Sequence, residues 1–199
     1  MFCDRTKFQD RLIAENEDFY LIATLGQIIG GYVLLVPKAH IPCIGDLHNV
    51  SESGREFTRL TIRALWREYG KGSILPQVTT FEHGIVGQTI KHAHVHAVPA
   101  VINMTNRIRK DFPSAEIQEI ELNRLQALYR QRNEPYLFWT TTGARPRVCW
   151  NPPAPPQYLR IVAADLVGYP ERGNWREMDP ELDKKLGEET VRRLKPYFA

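Results

Sequence analysis

The segment TIKHAHVHAVP, residues 89–99, constrains the fold more than any other part of the chain. Histidines occupy every second position, at His92, His94 and His96, and small apolar residues lie between them. Because side chains alternate between the two faces of a β-strand, the pattern predicts a strand with all three imidazoles on one face. Burial of unsatisfied imidazoles is costly, so this face is either a functional site or a row of hydrogen-bonded rings.

The segments around this strand predict an antiparallel sheet with helices packed on it. Short β-type runs dominate the first half, and the clearest helix covers residues 51–70, with Ser53 and Glu56 as a capping box. Strands and helices follow one another in the order β-β-β-α-β-β, with short connections and without a repeated βαβ unit. This order predicts an α+β fold.

The second half of the chain changes in character. Residues 1–110 are predicted to form a catalytic domain, and residues 111–199 a mostly helical C-terminal extension that packs on it. The extension is predicted to contain a helix beginning near Ser114, a hairpin turning at Gly143, and two further helices. Asp179 is the expected N-cap of the last helix.

Composition narrows the function and the compartment. The 199 residues include 26 Lys and Arg against 23 Asp and Glu, a net charge of +3 that is too balanced to indicate nucleic-acid binding. Cys3, Cys43 and Cys149 form no CxxC pair, which argues against a disulfide framework and against a structural zinc site built on thiolates. A charged N-terminal segment and short apolar runs predict a cytoplasmic protein outside the membrane.

The histidine row allows three interpretations. Histidines can hold zinc, although three same-face positions on one straight strand do not converge on a tetrahedral ion. Imidazole is also a nucleophile toward phosphorus, with neighbouring rings fixing its tautomer and stabilising phosphoryl oxygens. The third interpretation is purely structural, with each ring satisfied by backbone carbonyl groups.

Three motifs resemble those of a known family. HAHVHAV fits the alternating histidine and apolar signature of the histidine triad (HIT) superfamily of nucleotide hydrolases and transferases. The preceding GQTIK and the segment GGYVLLVPKAHIPCIGDL are similar to two further family segments, so the resemblance covers roughly residues 3–105. It implies a HIT-like α+β fold, a homodimer, a nucleotide or nucleotide-conjugate substrate, and attack on an α-phosphate without a metal or cofactor.

The resemblance also implies roles for individual residues. His94 would be the nucleophile that forms a nucleotidyl-histidine intermediate. His96 would contact phosphate oxygens or the bridging atom of the bond that breaks, and His92 would hold His94 in place. Gln88 and Thr89 match polar residues that reach phosphate oxygens.

Three positions depart from the family pattern and affect substrate binding. Tyr32 replaces a histidine at the entry of the long central strand, and Thr24 replaces an acidic or amide residue that binds ribose. Phe81 replaces a polar residue, for which the neighbouring Glu82 and His83 are candidate substitutes.

The extension and the PKxH segment supply further candidates. Arg160 follows a proline-rich connector and suits bidentate phosphate contact, so it is predicted to cap the site. Lys38 and His40 are interpreted as parts of a structural turn. The leading function is hydrolysis of dinucleoside polyphosphates or nucleoside phosphoramidates, with a nucleotidyltransferase or phosphorylase, and a nucleotide-binding protein with weak catalysis, as alternatives.

Overall fold

Eight β-strands form one antiparallel sheet in the computed structural model, which describes residues 2–70, 72–75 and 77–199. The strands lie in the order β1-β2-β3-β5-β4-β7-β8-β6, and each neighbouring pair is antiparallel. Their bounds are Leu12–Glu15 (β1), Phe19–Ala23 (β2), Val33–Pro37 (β3), Thr79–Gly84 (β4), Val95–Val98 (β5), Ile117–Glu119 (β6), Tyr136–Thr141 (β7) and Arg147–Trp150 (β8). The predicted α+β class is therefore confirmed.

Helices cover both faces of this sheet. They are Glu52–Tyr69 (α1), Thr105–Asp111 (α2), Leu125–Arg132 (α3), Tyr158–Leu166 (α4) and Pro180–Leu194 (α5). Phe57 and Leu65 of α1 and Leu194 of α5 share one apolar cluster with β2, β3 and β5. Leu159 and Val162 of α4 pack on the opposite face, so α4 covers that face of the sheet. Among the described residues, each helix is too short or too polar to reach across a bilayer.

The C-terminal half continues the sheet that the N-terminal half begins. The predicted hairpin at Gly143 is present as β7 and β8, and β7 pairs with β4 along its whole length, with Phe81 opposite Trp139. One hydrogen-bonded sheet therefore spans both sides of the predicted boundary at residue 110, which itself lies in α2. The last helix begins as predicted, because the Asp179 side chain accepts a hydrogen bond from the Leu182 N–H group at 2.7 Å.

Helix α1 begins two residues before the predicted capping box. Its N-cap is Ser51, whose hydroxyl oxygen accepts a hydrogen bond from the Gly54 N–H group at 2.9 Å. The same hydroxyl donates to the Asp18 carboxylate at 2.5 Å, and the Ser51 N–H group also donates to it. A tertiary contact with the turn between β1 and β2 thus selects Ser51 over Ser53.

The prediction of a helix beginning near Ser114 is wrong for the first half of that segment. Residues Ile117–Glu119 form β6 instead, which pairs with β8 and places Ile117 opposite Cys149. A 3₁₀ turn follows, and α3 begins only at Leu125. Pairing with β8 satisfies an edge that would otherwise be open, and this outweighs the local helix preference.

Candidate active site

Strand β5 is shorter than the histidine pattern predicts. It begins after His94, so His92 and His94 lie in the irregular segment that leads into it. This segment forms a hydrogen bond with the chain after β3, because the Ala93 N–H group donates to the Ile41 carbonyl oxygen at 2.8 Å. The imidazoles of His92, His94 and His96 are nevertheless all buried, with exposed fractions of 2%, 7% and 6%.

His94 is oriented by a hydrogen bond to its own segment. Its Nδ1 atom lies 2.7 Å from the His92 carbonyl oxygen, which can only accept, so Nδ1 carries a proton. Burial lowers the pKa of His94 to about 4, so the ring is neutral at pH 7. A neutral ring with a proton on Nδ1 has a free lone pair on Nε2, which is the form a nucleophile needs.

His96 is held in the opposite tautomer. The Tyr32 hydroxyl lies 2.5 Å from His96 Nδ1, and burial raises the pKa of Tyr32 to about 12, so the hydroxyl keeps its proton. Because His96 Nδ1 is the one acceptor within its reach among the described residues, we assign the hydroxyl as the donor of this bond. Burial also holds the pKa of His96 well below its ordinary value, and the neutral ring therefore carries its proton on Nε2. The ring stacks on Phe81 at 4.6 Å and 6°. Tyr32 and Phe81, two of the residues that depart from the motif pattern described above, thus position His96.

His83 attaches helix α4 to the sheet. Its Nε2 atom accepts a hydrogen bond from the Leu159 N–H group at 3.0 Å, which lies in the first turn of α4 and has no acceptor within the helix. Burial lowers the pKa of His83 to about 3, so the ring stays a neutral acceptor. Its ring centroid lies 5.8 Å from that of His96. His83 therefore acts as a helix cap at the edge of the site.

His94 and His96 line a pocket that opens to solvent. The N-terminal segment, the loop after β2, the loop before the triad and the C-terminal extension all contribute to its wall, through Phe2, Arg11, Thr24, Leu25, Thr89, Gln157, Arg160 and Trp175. The extension therefore forms part of the site.

The structure brings six of the ten predicted site residues to the pocket wall. These are Thr24, His83, Thr89, His94, His96 and Arg160. Tyr32 and His92 lie behind the wall and hold its histidines. The Gln88 side chain instead donates to the Pro42 carbonyl oxygen at 2.9 Å, which links its loop to the segment after β3.

Arg160 is buried, and its guanidinium group is bonded to backbone rather than free. Its N–H groups donate to the carbonyl oxygens of Leu25, Gly26, Arg172 and Gly173. These bonds join the loop after β2 to the segment that carries Trp175. The geometry therefore favours a positioning role for Arg160 over the phosphate contact predicted from the sequence.

Glu82 lies on the other face of β4, away from the triad. It is fully buried, and its carboxylate accepts hydrogen bonds from the Ile44 N–H group and the Tyr136 hydroxyl, both at 2.7 Å. Burial raises the pKa of Glu82 to about 8. Its position gives it no contact with the pocket wall, so its role is to hold the loop at Ile44.

Replacement of Glu82 by glutamine is expected to stabilise the protein at alkaline pH. The folded-state pKa lies above the unfolded value of about 4.5, so the native carboxyl group costs stability as the pH rises from about 4.5 to 8. The glutamine amide cannot ionise, and the variant should gain up to about 1.4 kcal/mol per pH unit relative to wild type over this window. Urea unfolding at pH 5, 7 and 8.5 measures the gain. Glu121→Gln, at an exposed position, is the control, and parallel pH curves for Glu82→Gln and wild type would contradict the prediction.

Sequence reasoning missed several pocket residues, among them Phe2 and Arg11. The Phe2 ring lies 5.4 Å from the His94 ring, and Arg11 donates to the Ala23 carbonyl oxygen at 3.1 Å. Both depend on the 3₁₀ segment Arg5–Arg11, which buries Phe8 completely and so fixes the N-terminal residues on the sheet. The only sequence signal was two phenylalanines within a charged segment.

Comparison with solved structures gives matches of low sequence identity. No family model and no curated protein matches the chain. A hypothetical histidine triad nucleotide-binding protein from Sulfolobus tokodaii is similar at 20% identity, over 50% of this chain and 67% of that one, with a TM-score of 0.35. Two structures of yeast Ap4A phosphorylase, with AMP and with Ap4A, are similar at 12% identity over 86% of this chain and 73% of theirs, with TM-scores of 0.43 and 0.41. Because all three TM-scores lie below 0.5, the roles proposed below depend on contacts within this chain and on its motifs.

Proposed function

We propose that this chain cleaves nucleotide conjugates through a nucleotidyl-histidine intermediate on His94. The observation that carries the proposal is the pairing of two tautomers at one pocket, with the His94 and His96 ring centroids 5.0 Å apart. His94 offers a lone pair on Nε2, whereas His96 offers a proton on Nε2. A nucleophile and an acid are the two groups that displacement at phosphorus needs. The triad resemblance supports a nucleotide as the substrate.

The reaction has two steps. His94 Nε2 attacks the α-phosphorus and forms a P–N bond, while the bond to the leaving group breaks and that group takes the proton from His96 Nε2 as His96 Nδ1 takes one from the Tyr32 hydroxyl. Water then attacks the same phosphorus and loses a proton to His96 Nε2, the Nδ1 proton returns to Tyr32, and the P–N bond breaks to release neutral His94. The products are a nucleoside monophosphate and the leaving group, and two inversions retain the configuration at phosphorus.

The pocket wall offers groups for the rest of the substrate. Thr24 and Thr89 have hydroxyl groups that can bond ribose or phosphate oxygens, and the Arg11 guanidinium can pair with a phosphate. Trp175 offers an aromatic face for a base. Dinucleoside polyphosphates and nucleoside phosphoramidates have this combination of base, ribose and phosphorus.

A phosphorylase is the second candidate function. The cationic Arg11 side chain shares the pocket with His94 and suits inorganic phosphate as the acceptor in place of water. The first step is the same, and phosphate oxygen replaces water oxygen in the second.

A substrate panel distinguishes these functions. The full chain is incubated with adenosine phosphoramidate, diadenosine polyphosphates or nucleotide sugars, with and without phosphate, and in the presence of EDTA. Release of a nucleoside monophosphate without phosphate supports the hydrolase, and turnover only with phosphate supports the phosphorylase. Tight nucleotide binding without turnover would contradict both.

Replacement of Tyr32 by phenylalanine is expected to lower kcat by about 10-fold or more, with little change in KM. The change removes only the hydroxyl that fixes the tautomer of His96, so the proton donor is lost while the substrate wall stays in place. Steady-state kinetics at pH 7 measure the effect. Tyr20→Phe on β2 is the matched control, and an unchanged kcat for Tyr32→Phe would contradict the role given to His96.

The homodimer and the cytoplasmic location are further parts of this proposal. The triad resemblance supports the dimer, and the cysteine pattern supports a reducing compartment. Analytical ultracentrifugation of the purified chain tests the dimer directly.

A further inference from the structure

A fourth histidine, His83, lines the same pocket as His94 and His96. It lies on β4 two residues after Phe81, which pairs with His96 in the β4–β5 ladder and stacks on its ring. Side chains two residues apart on a strand share a face, so His83 points to the same side of the sheet as Phe81. The His83 and His96 ring centroids lie 5.8 Å apart, and the proposed reaction leaves this third ring of the wall unused.

One edge of the His83 ring is occupied by protein. Its Nε2 atom accepts the hydrogen bond from the Leu159 N–H group. The adjacent Cδ2 atom lies so close to Gly87 that a side chain at that glycine would meet it at 3.2 Å. The Nδ1 and Cε1 atoms form the opposite edge of the ring. Because His83 is only 4% exposed and still lines the pocket, this opposite edge is the one that faces the pocket.

The Nδ1 atom of His83 carries a proton that the protein leaves unpaired. A neutral imidazole has one N–H donor and one acceptor nitrogen, and Nε2 must be the acceptor because a backbone N–H group can only donate. No acceptor among the described residues bonds to Nδ1, and this atom is not sealed from solvent. A donor in so buried a side chain is costly unless another molecule supplies its acceptor. The pocket is the place where such an acceptor can lie.

The surroundings of His83 keep this donor neutral and fixed. Burial lowers the pKa of His83 to about 3, and the positive charge of Arg160 acts in the same direction. The Leu159 N–H group lies in the first turn of α4, at the positive end of the helix dipole, which also disfavours a second proton on the ring. A neutral imidazole held in this way by a helix N-terminus can polarise a substrate oxygen.

We infer that His83 is a third catalytic histidine, which donates from Nδ1 to a non-bridging oxygen of the substrate α-phosphate. The inference rests on the proposed function, because it assigns a role in the same displacement at phosphorus. The attacked phosphoryl group carries its negative charge on the non-bridging oxygens, and a preorganised donor there stabilises the transition state. His83 forms no bond to phosphorus and keeps its proton throughout, whereas His94 attacks and His96 transfers a proton.

Two substitutions at position 83 separate the two edges of the ring. In His83→Gln, the side-chain amide reaches the position of Nε2, so it can accept from Leu159 but lacks the donor at Nδ1. In His83→Asn, the shorter amide reaches the position of Nδ1 and can donate there, but the bond to α4 is lost. A helix cap alone predicts that kcat falls only when Tm falls, whereas a catalytic donor predicts that the two separate.

Thermal unfolding and steady-state kinetics with a diadenosine polyphosphate measure this separation. We expect His83→Gln to keep a Tm near that of wild type and to lower kcat by about 100-fold, the usual cost of one transition-state donor. His83→Asn should have the lower Tm and retain at least about 10-fold more kcat than His83→Gln. His48→Gln, at an exposed histidine, is the matched control and should behave as wild type does. Equal kcat in His83→Gln and wild type, or loss of kcat only together with Tm, would overturn the inference and leave a helix cap.

Binding of AMP tests the same donor without turnover. Calorimetric titration of the full-length chain should show AMP binding that is about 10-fold or more weaker in His83→Gln than in wild type. Long-range ¹H–¹⁵N spectra of histidine-labelled protein should show His83 protonated on Nδ1, and AMP should shift that resonance. If wild type shows this response but turns over none of the conjugates, the proposed function fails while His83 stays a phosphate contact. An unshifted Nδ1 resonance with AMP bound, or failure of wild type to bind AMP, would overturn the inference.

Discussion

Replacement of His94 by alanine is expected to lower kcat/KM by about 10,000-fold or more. The variant loses the unprotonated ring nitrogen that the bond to the His92 carbonyl oxygen places at the pocket. His96 cannot replace it, because the Tyr32 hydroxyl fixes its proton on the atom that would have to attack. Loss of the nucleophile therefore removes the whole covalent path rather than one contact with the substrate.

Single-turnover mixing followed by mass spectrometry measures this effect directly. Wild type should accumulate one acid-labile nucleotidyl adduct per chain. His94→Ala should form no adduct but should still bind nucleotide. His48→Ala controls for the loss of an imidazole elsewhere, and circular dichroism confirms the fold of each variant. Residual turnover of His94→Ala within about 10-fold of wild type would contradict the nucleotidyl-histidine path.

The alternation of the histidines predicted their common environment better than it predicted their secondary structure. Local spacing shows that His92, His94 and His96 project alike, but it does not show where pairing starts. Pairing of β5 begins after His94, because the residues before it bond to the segment after β3. That irregular backbone is what allows the His92 carbonyl oxygen to meet His94 Nδ1.

Helix boundaries followed the sequence where capping was local and departed from it where capping was tertiary. Asp179 caps α5 through a bond three residues away, which the sequence shows. Ser51 is selected by Asp18 from a distant turn, and Ile117 is drawn into a strand by β8. Neither partner can be identified from spacing alone.

The residues of the candidate site also differ in whether the sequence could predict them. Motif resemblance placed the triad and Thr89, whereas the N-terminal Phe2 and Arg11 reach the pocket only through the burial of Phe8. Residue type predicted a phosphate contact for Arg160, but the carbonyl groups around it belong to two loops that the sequence does not bring together.

Replacement of Arg160 by alanine is therefore expected to destabilise the fold, by about 3 kcal/mol or more. The side chain is 3% exposed, and its loss leaves the carbonyl oxygens of Gly26, Arg172 and Gly173 without their donor. Each buried unsatisfied group costs about 1–3 kcal/mol, and removal of a buried charge offsets only part of this loss. Urea unfolding at pH 7 gives the change in the free energy of unfolding.

Two variants separate this role from phosphate binding. Arg160→Lys keeps the positive charge but lacks the planar fork that serves several carbonyl groups at once, so it should lose most of the same stability. Arg176→Ala removes an exposed arginine that stacks on Trp175 and should change stability by about 0.5 kcal/mol or less. If Arg160→Lys instead kept wild-type stability and turnover while Arg160→Ala lost turnover alone, the charge itself would be the functional element. Loss of stability in both Arg160 variants would place the guanidinium in the frame that holds Trp175 and the loop after β2 around the pocket.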